Sequence, residues 1–180
     1  MIRNITIPLL AALVVLPGCV SQKTYDRDMG AERQINQQLS AEVQADTVKI
    51  IQLQDRLRVT MEDELLFPEG RWEIHSKGKA VLDKIVPALQ AATTQRIEVE
   101  GYTDNVPIGG HLEHRFPSNW ELSTARAAEV VRYLQKKGID PSRLTAAGHG
   151  EYQPVGSNAT PAGRQANRRT DIDLMPIYQQ

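Results

Sequence analysis

The hydrophobic rhythm of the chain changes along its length. Residues 5–16 are apolar apart from Thr6 and Pro8, and the run stops at Leu16-Pro17-Gly18-Cys19. From residue 21 to about 61 there is no proline, Gly30 is the only glycine, and Gln, Glu, Asp, Arg and Ala dominate, a helix-compatible composition. A heptad frame runs through Tyr25, Met29, Glu32, Asn36, Leu39, Val43, Asp46, Ile50, Leu53, Leu57 and Thr60, with its better half from Leu39 to Leu57. The frame predicts an amphipathic helical stalk, with Asn36 and Asp46 weakening the seam or setting its register. Such a stalk either pairs with a second helix, giving a homo-oligomer through residues 25–61, or stays a flexible, partly helical spacer. Fully helical, it would reach about 60 Å.

After Met61 the period changes again. Leu65-Leu66-Phe67, closed by Pro68-Glu69-Gly70, predicts a short strand and a turn. Residues 76–92 predict a helix with Ala80, Val81, Ile85 and Leu89 on one face, Ser76 as its cap, and Pro87 as a bend or irregular turn. Ile97, Val99 and Gly101 alternate with Glu98 and Glu100, so residues 96–102 read as a half-exposed strand. Ser118-Asn119-Trp120-Glu121 has the form of a capping box, and the helix it opens runs to Lys137 and stops at Gly138. Its inward positions are Ala127, Val130, Val131 and Leu134. Residues 143–147 form a brief strand. In the last strand Thr170, Ile172 and Leu174 alternate with Asp171 and Asp173. Strand, helix, strand, helix, strand, strand points to an α/β or α+β domain over residues 62–180, with helices on one sheet.

The first segment sets the compartment. The apolar run is well short of the roughly 20 residues that span a bilayer. A short apolar run behind Arg3, ending in a small residue, reads as a secretory leader over residues 1–18. Cys19 is the only cysteine, so it has no intrachain disulfide partner. Leu-x-Gly-Cys resembles the lipobox of bacterial lipoproteins, in which the cysteine is acylated and becomes the mature N-terminus, and several acyl chains anchor stably where one does not. That resemblance makes outer-membrane lipid a partner through acylated Cys19. Val20 in place of Asp implies sorting to the periplasmic face of the outer membrane.

Charge excludes a polyanionic partner. Loss of Arg3 with the leader takes the 21 basic residues to 20 against 22 acidic ones, so nucleic acid is not expected. His111-Leu112-Glu113-His114 places two histidines three apart, but Gly109, Gly110 and Pro117 put them in a solvated loop, and no metal is expected. Asn158-Ala159-Thr160 matches a glycosylation sequon by chance. Asp104, His149 and Glu151 are the acid–base candidates, yet no nucleophile beside a base and no phosphate-cradling loop accompanies them. No enzyme activity and no cofactor are expected.

Four segments are poor choices for simple packing: Gly101-Tyr102-Thr103-Asp104-Asn105, residues 119–127, Gly148-His149-Gly150-Glu151, and Asn167-Arg168-Arg169. Asp104 directly follows a strand, at the carboxyl end of the sheet where α/β ligands bind. Arg126 lies about two turns into the next helix, whose N-terminal N–H groups favour an anion. A carboxylate and a guanidinium a few ångströms apart match the ammonium and carboxylate of one amino acid, although on position alone the two could equally form a structural salt bridge. Together, in order and at compatible spacing, the segments resemble the OmpA-like peptidoglycan-binding domain, and Ser118-Asn119-Trp120-Glu121-Leu122-Ser123 looks closest to its MotB-type branch. The resemblance implies an α+β fold, β-α-β-α-β-β with helices on one mixed sheet. It implies peptidoglycan as partner, held through the diaminopimelate of the stem peptide. It carries the binding roles onto Asp104 and Arg126, and places Thr103, Asn105, Leu122 and Arg168 around the same pocket.

The sequence therefore supports a wall-binding module that ties the outer membrane to peptidoglycan. Beside it stand an assembly protein that oligomerises through its stalk and, ranked last, a wall hydrolase. A stator-like variant would need a membrane helix bearing an acidic residue, which residues 5–16 do not supply.

Overall fold

A computed structural model describes residues 22–177 apart from residue 55. The leader over residues 1–18 and the anchor Cys19 lie outside the described residues. The elements run α1 (Gln22–Gln38), α2 (Ser40–Gln44), β1 (Val48–Gln52), β2 (Leu57–Glu62), α3 (Asp63–Leu66), α4 (Ser76–Ala91), β3 (Gln95–Gly101), α5 (Asn119–Lys136), β4 (Leu144–Gly148), α6 (Pro161–Asn167) and β5 (Arg169–Pro176). The strands form one sheet in the order β1-β2-β5-β3-β4. Strands β3 and β4 are parallel and the other neighbours antiparallel, so the fold is α+β on a mixed sheet.

The predicted stalk is corrected. Helix ends at Gln44, and residues 48–62 form a hairpin that adds two strands to the sheet. Asp46 explains the break: its φ is +56°, the left-handed conformation that Asp tolerates better than most residues and that a helix cannot continue through. Beyond it Leu57, Val59 and Met61 are buried while Arg58, Thr60 and Glu62 are half-buried, a period of two that the heptad frame obscured. Ala31 and Ile35 of α1 and Leu39 just after it are buried, spaced by four, and they join the same core as α4. Lys84 of α4 donates to Glu42 of α2 at 2.6 Å beside them. Glu32 and Asn36, placed in the seam by the heptad, lie off this buried stripe.

Two further expectations are refined. Leu65-Leu66-Phe67 is not a strand. It is the end of the short helix α3 and the residue that follows it, with Leu65, Leu66 and Phe67 all buried in the core. Helix α4 matches its predicted span, but its cap is His75, whose Nδ1 accepts from the Gly78 amide at 3.0 Å, and Ala80 faces solvent. Pro87 sits on the exposed side of that helix and does not interrupt it. Helix α5 starts at its predicted cap, where Ser118 accepts from the Trp120 amide and donates to Glu121, and it ends before Gly138 at φ +90°.

One sheet face carries Val59, Met61, Ile97, Val99, Ile172 and Leu174 into the core with α4 and α5. The other face is polar, with its buried acids paired. Asp173 is fully buried there, held by Arg58 at 2.6 Å and Arg56 at 3.0 Å, and Arg58 also reaches Glu100 at 2.8 Å. Because α1 belongs to the core, Ile35→Ala should destabilise the domain by about 2–4 kcal/mol, as a buried aliphatic does. Denaturant unfolding checks this, and a loss under about 0.5 kcal/mol would show that α1 is a detached spacer.

Candidate functional site

The site forms where α5 begins. A Cβ on Gly101 would lie 2.3 Å from the Ser123 carbonyl oxygen, and one on Gly148 2.4 Å from the Thr124 amide nitrogen. These two glycines face each other in the parallel ladder of β3 and β4, so the first turns of α5 rest directly on backbone. Ser123 then accepts from the Gly150 amide at 3.0 Å, and Thr103 donates its amide to Gly150 at 2.9 Å. Asn119, at the start of α5, donates from Nδ2 to the backbone oxygens of Asp104 and Val106 at 3.3 and 3.2 Å and to Glu151 at 2.7 Å. The strand end that carries Asp104 is fixed to the helix that carries Arg126.

A cleft of about 880 Å³ lies between these elements, and Thr103, Asp104, Leu122, Arg126 and Arg168 all line it. Asn105 is exposed and does not. Asp104 and Arg126 do not pair with each other. Asp104 accepts the Val106 amide at 3.0 Å and Arg168 Nη1 at 2.7 Å, and Arg168 Nη2 continues to Glu64 at 2.7 Å. Arg126 donates from Nη1 to Asp63 at 2.6 Å, and from Nε and Nη2 to the Arg71 carbonyl at 3.2 and 2.9 Å. Its guanidinium also lies 5.2 Å from the centre of the Phe67 ring. A guanidinium has five N–H groups, so one on each Nη of Arg126 is left for a ligand. A carboxylate accepts about four hydrogen bonds, so Asp104 retains capacity for an ammonium.

Asp63, Glu64 and Asn119 carry geometry to which no role was assigned from sequence. Asp63 is 3% exposed, and Thr170 donates to its second oxygen at 3.0 Å. Burial raises its carboxyl above the ordinary aspartate value, while Arg126, Thr170 and Arg168 pull it down. A signal existed: Asp63 continues the buried phase of Leu57, Val59 and Met61, so an acid falls where the alternation calls for an apolar side chain. Thr103 is 5% exposed, and its hydroxyl has no hydrogen-bond partner among the described residues.

The loop between β3 and α5 is not merely solvated. Leu112 and Phe116 bury against Leu122 in a small cluster with Trp72 and Ile108, and Trp72 meets Phe116 edge-on at 5.3 Å. Arg115 covers the Trp72 ring at 4.2 Å. This cluster closes one side of the cleft. The side chain of His111 lies outside the described residues.

The OmpA family model matches residues 66–168, the span from the end of α3 to Arg168. The chain belongs to the OmpA family. It is 34% identical over 121 residues to motility protein B of Bacillus subtilis, covering 67% of this chain and 45% of that protein. It is 36% identical over 92 residues to the peptidoglycan-binding protein ArfA of Mycobacterium bovis, covering 51% of this chain and 26% of the relative. It thus spans less than half the length of either. Among solved structures it resembles the cell wall anchor of the T6SS from Pseudomonas aeruginosa, at 33% identity and a TM-score of 0.71, covering 79% of this chain and 97% of that one.

The wiring of the OmpA-family cleft separates its acids by role. Asp63→Ala would leave Arg126 buried without its partner and should cost about 3–5 kcal/mol of stability. Glu64→Ala, at an acid 58% exposed, should cost less than about 1 kcal/mol. Denaturant unfolding of both variants checks the contrast, and equal effects would contradict it.

Proposed function

We propose that this chain is an outer-membrane lipoprotein that binds peptidoglycan non-covalently and so ties the membrane to the wall. The observation that supports the binding half is one cleft bringing together Asp104, with acceptor capacity left, and Arg126, with donors left. An amino acid head group meets both. Its ammonium goes to the Asp104 carboxylate and its carboxylate to the free N–H groups of Arg126. Arg168, bridging Asp104 and Glu64, keeps the acids from repelling one another before the ligand arrives. Diaminopimelate offers this ammonium–carboxylate pair on a side chain. The names of the relatives, a peptidoglycan-binding protein and a cell wall anchor, agree with that ligand.

The anchoring half rests on Cys19 within its lipobox-like setting, and the outer-membrane destination rests on Val20. The assembly alternative drew on a long helical stalk, and the hairpin over residues 48–62 takes the C-terminal third of that segment into the sheet. The reach that is left is short. With α1 helical from Gln22, Cys19 lies at most about 25 Å along the chain from Ala31, which is in the core.

Asp104→Asn keeps the shape of the side chain and removes its charge. It should weaken co-sedimentation with purified peptidoglycan sacculi about ten- to a hundredfold, the usual value of a charged hydrogen bond. Binding unchanged in a folded variant would overturn the assignment. Cys19→Ser should move the full chain from the detergent-extracted membrane fraction to the soluble periplasmic fraction, and retention with membranes would show that acylation is not the anchor.

A further inference from the structure

Trp120 and Tyr152 stack with ring centroids 5.1 Å apart and planes inclined by 24°. Trp120 is nevertheless 46% exposed and Tyr152 64% exposed. Each ring covers one face of the other, and the remaining aromatic surface meets water. Exposed large rings grouped in this way mark a contact surface, because folding alone does not reward leaving them out. Neither ring lines the cleft.

The pair is continuous with the cleft through two connections. Trp120 follows Asn119, which lines the cleft, and Tyr152 follows Glu151, which accepts from Asn119 Nδ2 at 2.7 Å. Gly150, one residue further back, accepts from the Thr103 amide. Both rings are therefore fixed to the backbone that shapes the binding site, one from α5 and one from the turn after β4. An exposed polar side chain follows each ring in sequence. Glu121 is exposed in the first turn of α5, its carboxyl held below the usual glutamate value by the Ser118 hydroxyl. Gln153 is exposed beside Tyr152 and hydrogen-bonded to His149 Nδ1 at 3.1 Å.

We infer that the Trp120–Tyr152 pair is a sugar-binding platform, taking the pyranose face of the amino sugar to which the peptide in the cleft is attached. This rests on the peptidoglycan reading above and extends it from the peptide to the glycan. A pyranose offers a flat array of C–H groups that packs on an aromatic face, while its rim of hydroxyl and acetamido groups needs acceptors such as Glu121 and Gln153. The stem peptide is bonded to that sugar, and a few extended residues at about 3.5 Å each lead from the cleft to a neighbouring surface. A polymer with peptide and glycan on one connected scaffold accounts for a polar cleft and an aromatic platform side by side.

The experiment compares wild-type protein, Trp120→Ala, Trp120→Phe and Tyr152→Ala by calorimetric titration with two soluble fragments. One is the diaminopimelate-containing stem peptide without sugar, and the other is the same peptide on its disaccharide. The wild-type protein should bind the disaccharide-peptide roughly 3- to 10-fold tighter than the bare peptide. Trp120→Ala and Tyr152→Ala should lose that gain while holding the bare peptide within about twofold, and Trp120→Phe should keep most of it. Equal affinity of the wild-type protein for the two fragments, or a full sugar gain in Trp120→Ala, would overturn the platform and leave the cleft standing. Binding of the disaccharide-peptide that depends on Trp120, with no detectable binding of the bare peptide, would support the platform and overturn the assignment of the cleft. Failure of both fragments to bind overturns both.

Discussion

The direct contact between the start of α5 and the ends of β3 and β4 is the constraint on which the site depends. A helix normally packs on a sheet through a layer of side chains, about 10 Å from axis to sheet. Here Gly101 and Gly148, opposite one another in the ladder, remove that layer, and Ser123 and Thr124 touch strand backbone. Any side chain at either glycine meets backbone atoms that cannot move without moving a strand or the helix. The close seat lets Ser123 hold the Gly150 amide and lets Asn119 bond two backbone carbonyls of the segment after β3. The chain that carries Asp104 is thereby built into the helix that carries Arg126, and the cleft has rigid walls on two sides. A site whose groups are already fixed loses less entropy on binding.

Charge is arranged around that seat so that Asp63, Arg126 and Asp104 each meet an opposite charge. Asp63 and Arg126 neutralise each other under the cleft floor, and Thr170 and the Arg71 carbonyl take up further capacity. Arg168 stands between Asp104 and Glu64. On the outer face of the sheet, Arg169 lies over the Tyr102 ring at 3.6 Å, and Tyr102 stacks on His149 at 4.7 Å. Both Tyr102 and His149 reach Glu100, and burial together with Glu100 raises the Tyr102 phenol well above its usual range. Paired buried charges give geometric specification more than net stability. They hold each guanidinium in one orientation, and a ligand with two opposite charges a fixed distance apart needs that.

The sequence disclosed the parts whose signal is local. The capping box at Ser118 and the stop at Gly138 appear in the structure where the pattern predicted them, and the strand predicted over residues 96–102 lies one residue earlier, at Gln95–Gly101. The four motif segments suit simple packing poorly, and the structure gives the reason. Gly101 and Gly148 seat a helix, and Asn167 ties down the loop at Val155 and Gly156 through both ends of its amide. What stayed hidden depends on which partner is chosen at long range. The opposition of Asp104 to Arg168 and of Arg126 to Asp63 spans more than sixty positions in each case. The hairpin over residues 48–62 was concealed because Ile50, Leu53 and Leu57 satisfy a heptad by coincidence. Its true period of two is decided by Asp46 turning the chain and by β5 accepting β2 as a neighbour.

That correction also changes how the protein would work as a tether. A stalk of forty helical residues would let the wall sit anywhere within a wide shell around the lipid. With α1 docked on α4 and helical from Gln22, a lipid-anchored domain would be confined to within about 25 Å of the membrane, measured from Cys19 to Ala31. Confinement raises the effective concentration of the cleft near the wall, since that concentration falls roughly as the −3/2 power of tether length. A short tether therefore allows a weak single-site grip on a repeating polymer to serve. On the proposed peptidoglycan reading, each release would leave the cleft among identical ligands within reach, and attachment would be sustained by rebinding instead of by residence time at one site. A cleft open to solvent that grips through a few charged contacts would suit that regime, letting go of one stem peptide and taking the next without unfolding any part of the domain.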